Sequence, residues 1–436
     1  MSLDYTVIGA TVLSSVVLLG WLFCWMMHAV SICFGLRHLY KSVATKQDDI
    51  GDEALPGVSI IKPLTGVDRN LKENLDTFFN QDYPEYELLF SVPNDNDPAI
   101  LVVKSLIESY PKVDAKLFIG TRDVGSNGKI NNMVRPYEAA KFNNIVISDT
   151  GIKTTPTTLR EMVSCLKPDV GLVLQMPYCA SRKGFGAVYQ QVYFGTMQAR
   201  NCLSANACNI NCSTGMSCLL RREVLDKAGG LAPFGKYLAE DHFIAEAIRK
   251  QGHKVVLSSL PALQNSGNCN ISDFHKRLVR WAKLRMTLLP TLIVLEPLGE
   301  SVIQGAAASL AAGYLLDMSP LAFFIGHLLT WFLIDYFLIR IVQNGPLPFS
   351  KFEFLAAWLF REFTAPYILL QGHMTHHVVW RNRKYRVKWG GEVERIPEPG
   401  EEKLLQQQQK AREGDDVTLL ADKRVVQALQ TVAVTS

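Results

Sequence analysis

The sequence predicts an α/β domain inserted between an N-terminal transmembrane helix and a group of C-terminal hydrophobic helices. Residues Val7–Leu36 contain no Asp, Glu, Lys or Arg, a second apolar excess covers residues 289–372, and short β-branched runs alternate with helical patterns between them. The 436 residues are 48% hydrophobic and 20% charged, and the mean hydropathy is +0.08. This composition excludes extensive disorder. A net charge of +4, from 45 basic and 41 acidic residues, gives no indication of a nucleic-acid partner.

The first hydrophobic segment, residues 7–36, is long enough to cross a membrane, which takes about 20 apolar residues. The alternative is a cleaved signal peptide. Against it stand the length of the run, the acidic Asp4 ahead of it and the lack of a small-residue cleavage site after it. Arg37 and Lys41 follow the segment. By the positive-inside rule, we expect the N-terminus outside the cell or in a lumen and the next domain in the cytosol.

Residues 55–285 have the composition of a water-exposed α/β domain. Helical patterns cover Asp68–Asn80 and Asp97–Tyr110. Five β-branched or apolar runs are predicted strands: Val58–Ile61, Leu88–Val92, Lys116–Ile119, Asn144–Ile147 and Val170–Leu174. Such alternation is typical of crossover units and predicts a mainly parallel sheet.

The C-terminal part, residues 286–372, is predicted to hold transmembrane and interfacial helices. Ser301–Leu316 and Leu321–Val342 are the main hydrophobic spans, whereas Phe354–Leu370 carries Arg361 and Glu362 at its middle. Charges there are costly in lipid unless they are paired or interfacial, so the number of crossings stays open. We expect a basic juxtamembrane segment at 373–396 and a mobile polar tail at 397–436.

Acidic side chains follow two of the predicted strands. Leu88–Val92 leads into Asn94, Asp95 and Asp97, and Asn144–Ile147 leads into Asp149. Ligands of open α/β sheets bind beyond the carboxyl ends of the strands. A carboxylate there could hold a divalent cation on a phosphate group, and the alternative is a loop with ordinary helix-capping aspartates.

Two further clusters each allow a functional and a structural interpretation. A glycine turn followed by Lys129, Asn131 and Asn132 could hold a diphosphate, although turn chemistry explains it equally well. Glu240 and Asp241 open a helical pattern, where the helix dipole stabilises negative charge by about 0.3–1 kcal/mol. The functional alternative makes Asp241 a general base at the mouth of the sheet.

A basic helical pattern, residues 275–285, precedes the C-terminal apolar region. Arg277, Arg280 and Trp281 lie close together on its helical spacing. The pattern indicates either a juxtamembrane helix on anionic lipid or a guanidinium clamp on phosphate with an aromatic wall for a sugar. Four cysteines lack paired zinc-ligand spacing and are more typical of reduced thiols: Cys202, Cys208, Cys212 and Cys218.

These motifs together resemble the ceramide glucosyltransferase family, a group of membrane-bound inverting nucleotide-sugar glycosyltransferases. The acidic and basic motifs Asp149-Thr150-Gly151, Glu240-Asp241 and Arg277-x-x-Arg280-Trp281 occur in the family's order. Longer runs extend the resemblance over roughly residues 15–390, among them residues 57–64 with Lys62, residues 128–132, 191–196, 214–218 and 264–267.

The resemblance implies a GT-A-type, Rossmann-like nucleotide-sugar domain that faces the cytosol on the Golgi membrane. The implied reaction transfers glucose from UDP-glucose to the primary hydroxyl of ceramide with inversion, giving β-glucosylceramide and UDP. Asp149 would serve a divalent cation (Mg²⁺ or Mn²⁺) and the diphosphate, and Asp241 would be the base. Arg277, Arg280 and Trp281 would close the donor site. The bilayer is an implied partner, and a homo-oligomer is compatible with the resemblance.

The chain departs from the family pattern at three places. Asn94 stands where the first acidic motif has Asp, with Asp95 next to it; an amide there can still hold the uracil or ribose by hydrogen bonds. Gln198 replaces a histidine, and Cys212 matches the cysteine before Thr-Gly, with Ser213 between. Two other functions share the motifs or the architecture. One is a polysaccharide synthase or polyprenyl-phosphate glycosyltransferase, and the other is a non-catalytic membrane protein that binds nucleotide-sugar or ceramide.

Overall fold

A computed structural model describes residues 5–41, 55–267, 269–375, 377–381 and 383–397. The predicted polar tail lies outside the described residues after position 397. The chain divides into two compact units, the first comprising residues up to Thr375 together with Lys388–Val393.

The first unit is built around a seven-stranded sheet with the order β3-β2-β1-β4-β8-β6-β9. Its strands are β1 (Val58–Pro63), β2 (Tyr86–Val92), β3 (Asp114–Ile119), β4 (Asn144–Ser148), β6 (Val170–Leu174), β8 (Ser217–Arg221) and β9 (Lys254–Leu257). All five predicted strands are confirmed. The expectation of a mainly parallel sheet needs one correction, because β8 is antiparallel to both β4 and β6. The sheet is therefore mixed.

Helices flank this sheet because each has an apolar stripe that must be buried. The helices that follow β1 are, in chain order, α2 (Leu71–Phe79), α3 (Ala99–Ser109), α4 (Gly128–Ala139), α5 (Thr158–Ser164), α6 (Phe185–Tyr193), α7 (Ala199–Ala207) and α8 (Arg222–Asp226). In α2, Leu71, Leu75 and Phe78 are buried, as the predicted helical pattern requires. A π-helical segment, Phe194–Gln198, joins α6 to α7.

A second, three-stranded sheet has the order β5-β10-β7 and contains β5 (Ile152–Lys153), β7 (Pro177–Cys179) and β10 (Ala262–Gln264). Two helices complete the region: α9 (Glu240–Lys250), which follows a short 3₁₀ turn at Ala232–Lys236, and α10 (Ile271–Leu288). Asn270 caps α10, since its side chain accepts a hydrogen bond from the amide of Ser272. The capped helix leads directly toward the hydrophobic helices.

The predicted hydrophobic segments are helical. They form α1 (Tyr5–His38), α11 (Leu292–Leu298), α12 (Ser301–Leu316), α13 (Pro320–Gln343) and α14 (Lys351–Met374). Among the described residues, α1 and α13 are the two helices long and apolar enough to cross a membrane, and α12 is a shorter apolar helix. These helices indicate a membrane protein.

Four helices share one buried ion network centred on Asp335 of α13. Its Oδ1 lies 3.1 Å from Arg200 Nη1 on α7, and its Oδ2 lies 3.1 Å from Arg361 Nη2 on α14. His28 Nε2 of α1 is 3.4 Å away. Arg361 also pairs with Glu362. Arg361 and Glu362, the charges at the middle of α14, are therefore paired. The ion network also links the hydrophobic helices α1, α13 and α14 to α7.

The described part of the second unit comprises residues 377–381, 383–387 and 394–397. Its described strands β11 (Val378–Trp380) and β12 (Arg383–Val387) pair antiparallel, with Val378 opposite Tyr385. The next strand, β13 (Val393–Ile396), extends this sheet in the order β11-β12-β13. The basic residues predicted for a juxtamembrane segment lie in this hairpin.

Candidate active site

The site begins at the carboxyl ends of the parallel neighbours β1 and β4. Lys62, at the end of β1, is fully buried, and its Nζ donates to Ser148 Oγ at 3.2 Å and to the carbonyl of Asp149 at 2.7 Å. The centroid of the Phe78 ring lies 3.9 Å from the same Nζ. Burial lowers the pKa of Lys62 to about 7, and the charge of Asp149 opposes that shift. Lys62 therefore fixes the backbone of Asp149 from inside the sheet.

The carboxylate of Asp149 is held from the other side by Lys129. Lys129 Nζ lies 2.8 Å from Asp149 Oδ1 and 3.0 Å from Glu240 Oε1, and it donates to the carbonyl of Gly215 at 2.6 Å. Burial opposes its charge, but Asp149 and Glu240 together raise the pKa of Lys129 above its ordinary value. The side chain of Asp149 is 39% exposed, so part of this carboxylate faces open space.

Helix α9 brings two carboxylates to this point. Glu240 is buried and accepts a hydrogen bond from Asn127 Nδ2 at 3.0 Å in addition to its contact with Lys129. Asp241, next to it, is partly buried. Its pKa is raised to about 7 by burial and by the charge of Glu240, with Lys129 opposing. The cation that opposes this shift is Lys129, and the net effect favours the protonated form of Asp241.

Helix α10 supplies the basic and aromatic wall. The guanidinium carbon of Arg277 lies 4.5 Å from the ring centroid of Trp281 and 5.9 Å from that of Phe194. Burial lowers the pKa of Arg277, while the charge of Asp149 opposes the shift, so this cation lies within electrostatic reach of the carboxylate. Arg280 is partly buried on the same helix, three residues after Arg277. Stacking of this kind favours one guanidinium orientation.

Gln198 and Cys212 are linked by Cys202, which the sequence analysis did not place in the site. Gln198 Nε2 lies 3.3 Å from Cys202 Sγ, and Cys202 Sγ lies 3.7 Å from Cys212 Sγ. The segment of Cys212 runs into Gly215, whose carbonyl contacts Lys129. This sulfur pair therefore adjoins the lysine–carboxylate cluster along the chain.

Several predicted residues hold the backbone. Asp97 accepts hydrogen bonds from the amides of Gly66 and Ala99, which agrees with the helix-capping alternative. Asn131 accepts from the amide of Val124 at 3.1 Å, and Asn132 Nδ2 donates to the ends of β1 and β2. Asn94 and Asp95 are exposed in the loop after β2, where the structure leaves their side chains open to a ligand.

Three contributors to the cluster were not among the predicted site residues. Glu240 and Asn127 position Lys129 and the start of α9, and the carbonyl of Gly215 completes the lysine's coordination. Glu240 could have been chosen from its place beside Asp241. A backbone carbonyl and a capping amide carry no sequence signal that distinguishes them from ordinary turn residues.

Asp149 is the residue that the sequence analysis predicts to hold a divalent cation. The described residues include no group of three or more His, Cys, Asp or Glu side chains that could bind a metal by themselves. Mg²⁺ commonly binds one or two carboxylates together with substrate phosphates and water. A partly exposed carboxylate at the end of a strand would supply one ligand of such a shared site, and Lys129 beside it would contact the phosphate.

The comparison with protein families decides the membership of this chain. The model of glycosyl transferase family 21 matches residues 23–393, from within α1 to β13. The chain belongs to glycosyl transferase family 21. It is therefore a glycosyltransferase, and the match covers both the sheet and the hydrophobic helices.

Named relatives of this family 21 chain are similar over most of their length. Ceramide glucosyltransferase 3 from Caenorhabditis elegans is 39% identical over 389 residues, 88% of this chain and 83% of the relative. Ceramide glucosyltransferase 1 from the same organism is 39% identical over 371 residues, which cover 85% of this chain and 78% of that relative. The mannosyltransferase PcManGT from Pyrobaculum calidifontis, solved in complex with GDP-Man and Mn²⁺, is 18% identical and has a TM-score of 0.46. The similarity covers 76% of this chain and 98% of that chain.

Proposed function

We propose that this enzyme transfers glucose from UDP-glucose to the primary hydroxyl of ceramide with inversion, giving β-glucosylceramide, the first glycosylated product in glycosphingolipid synthesis. The observation that carries the proposal is the convergence of two carboxylates at the carboxyl end of the sheet. Asp149 is partly exposed and ion-paired with Lys129, and Asp241, next to Glu240 on α9, has a pKa raised to about 7. The relatives named as ceramide glucosyltransferases support this choice of substrates.

On the donor side, the leaving group of the reaction is a nucleoside diphosphate that gains negative charge as the glycosidic bond breaks. Arg277 and Lys129 are fixed cations near Asp149, held by ring stacking and by hydrogen bonds. Fixed charges stabilise a developing charge without reorganising during the reaction. A divalent cation on Asp149, shared with the diphosphate, would further neutralise the departing charge.

On the acceptor side, an inverting displacement requires one base opposite the leaving group. A general base works best when its pKa is close to the operating pH, because it is then both available and strong enough to accept the proton. Asp241 has this property because burial and Glu240 raise its pKa. We assign Asp241 the role of deprotonating the ceramide hydroxyl, and Glu240 the role of positioning Lys129 and tuning Asp241.

The acceptor has two hydrocarbon chains, so its hydroxyl must be reached from the bilayer. Helix α10 carries Arg277 and Trp281 and leads into α11 and the apolar helices after it. This continuity supports a donor site close to the membrane surface. We further propose a Golgi location with the catalytic domain on the cytosolic side and the N-terminus in the lumen, as the positive charge after α1 favours.

The decisive test is turnover by the purified full chain in lipid nanodiscs, with UDP-glucose and Mg²⁺ or Mn²⁺. Ceramide, diacylglycerol and a polyprenyl phosphate are offered side by side. We expect a single glucosyl residue on ceramide alone. Transfer to the polyprenyl phosphate, addition of several sugars, or binding of UDP-glucose without turnover would each refute the proposal and favour one of the other two functions.

A further inference from the structure

Two thiols meet beside the active site. Cys202 Sγ, on α7, lies 3.7 Å from Cys212 Sγ, on the segment that leads into Gly215. Cys202 is buried, with 2% of its surface exposed, while Cys212 is partly exposed. None of the nine cysteines forms a disulfide in the described structure, so both sulfurs are available for bond formation.

We propose that Cys202 and Cys212 form a reversible disulfide under hydroperoxide, and that this bond switches the enzyme off. The proposal assigns a modification site and rests on the proposed function only for its activity readout. The partly exposed thiol of Cys212 meets the oxidant and the buried thiol of Cys202 resolves it, which is the arrangement expected of a redox-responsive pair.

The chemistry balances with hydrogen peroxide as the oxidant. The Cys212 thiolate attacks one peroxide oxygen, the O–O bond breaks, and hydroxide leaves as Cys212 becomes a sulfenic acid. Cys202 sulfur then attacks the Cys212 sulfur, the S–O bond breaks, and water leaves. Two thiols lose two electrons and two protons, and one peroxide becomes two waters.

The surroundings of the pair favour these roles. The hydrogen bond with Cys202 lowers the pKa of Cys212 against the effect of burial; the charge of Arg285 adds to the lowering and that of Asp241 opposes it. The pKa of Cys202 is raised well above its ordinary value by its hydrogen bond with Cys212 and by burial. Because the thiolate is the nucleophile, Cys212 is the residue that reacts first with peroxide.

Closure of the bond must move the active site. Bonded sulfurs are about 2.0 Å apart, so the two must approach by more than about 1 Å from the observed separation. Cys212 lies shortly before Gly215, whose carbonyl holds Lys129 and whose backbone adjoins Asp241. A displacement of about 1 Å at a catalytic group can cost about 10²-fold in rate. We therefore expect oxidation to lower turnover.

The test treats the purified full chain in nanodiscs with hydrogen peroxide, digests it after blocking free thiols, and measures peptide masses and ceramide glucosylation. We expect a linked peptide containing Cys202 and Cys212, and activity that falls about 10-fold or more and returns with dithiothreitol. Cys202→Ser should keep its basal activity and give no dithiothreitol-reversible loss. Cys208→Ser, an exposed cysteine between the two, is the matched control and should behave as the parent does.

Two results would overturn the proposal: the absence of the linked peptide when Cys212 is oxidised, or the same reversible inhibition in Cys202→Ser as in the parent. A disulfide that forms without changing turnover would refute the switch. Because the peptide mass needs no substrate, a reduced enzyme that never glucosylates ceramide would count against the proposed function and leave the disulfide separately testable.

Discussion

Gly215 lies directly against Asp241. A methyl group at position 215 would lie 3.2 Å from Asp241 Cβ and 3.4 Å from its Cγ. The carbonyl of the same glycine accepts the hydrogen bond from Lys129. The proposed base and the lysine that holds Asp149 thus both contact one residue, and a side chain at that residue would fit only if Asp241 shifted by a few tenths of an ångström.

The first prediction concerns this close approach. Gly215→Ala should displace Asp241 or the Lys129 contact by a few tenths of an ångström to an ångström and lower kcat about 10-fold or more. The KM for UDP-glucose should change less than kcat. Gly326→Ala, where the added methyl group meets nothing within 4 Å, is the control. Equal activity of both variants would contradict the positioning role of Gly215.

The second prediction concerns the base. Asp241→Asn should abolish transfer while UDP-glucose still binds, as measured by calorimetry. The parent's kcat/KM should rise with pH through about 7, because the acid form cannot accept a proton. Loss of UDP-glucose binding would make Asp241 a donor ligand instead. Retained transfer would leave Glu240 as the next candidate.

The same shift predicts a stability effect, which checks the raised pKa without activity. A carboxyl group whose pKa is raised on folding contributes its stability at low pH and loses it as pH rises through the folded value. Asp241→Asn should therefore melt at a higher temperature than the parent at about pH 8 and at the same temperature below about pH 4. A lower melting temperature of the variant at the higher pH would argue against a desolvated, charge-repelled Asp241.

The third prediction concerns the donor side. Asp149→Asn should lower turnover about 10²-fold with the fold intact, because the side chain is partly exposed and fills no core position. Asp169→Asn is the matched control: Asp169 is half exposed and pairs with Lys254 away from the site. Kinetics are measured after chelator treatment with Mg²⁺ or Mn²⁺ restored. Parent-like activity of Asp149→Asn would shift attention to Asp95 or Asp97.

The fourth prediction concerns topology. Asn211 and Asn270 lie in Asn-x-Ser sequons of the catalytic domain. If this domain faces the cytosol, neither asparagine carries a glycan, and treatment with a glycosidase leaves the mass unchanged. Asn270 also caps α10 with its side chain, a role that a glycan would remove. A glycan mapped to either asparagine would overturn the cytosolic placement.

The fifth prediction concerns the ion network of the membrane helices. Asp335→Leu leaves Arg200 and Arg361 buried without this counter-ion, and removal of one buried partner typically costs about 3–5 kcal/mol. We expect a large fall in the melting temperature in detergent. The double variant Asp335→Leu with Arg200→Met should recover part of the loss, because it also removes the cation that has lost its anion, whereas Arg361 still pairs with Glu362. No recovery would assign the effect to packing.

The helices and strands that could be predicted are those that a local residue pattern specifies. The apolar run at residues 7–36 became α1, and the β-branched runs became strands at the predicted places. Strand β8 was not predicted, because Ser217–Arg221 mixes polar and apolar residues and is stabilised by its antiparallel neighbours. Pairing partners far along the chain decide such a segment, and a local pattern does not contain them.

The candidate site was predictable in its charged residues and not in their roles. Lys129 and Asp149 were both singled out, and they do form an ion pair. The motif around Lys129 also suggested two amides for ligand binding, yet Asn132 uses its donor on the strand ends. The pKa of Asp241 depends on burial and on Glu240, both of which follow from packing that sequence spacing does not specify.

The ion network has a consequence for the order in which the parts of the chain fold. Arg200 leaves the ribosome well before its counter-ion, since Asp335 follows 135 residues later. Domains generally fold as they are synthesised, N-terminal parts first. Here α7 reaches its final environment only after α13 and α14 have been synthesised, so completion of the catalytic domain depends on hydrophobic helices that follow it in the chain.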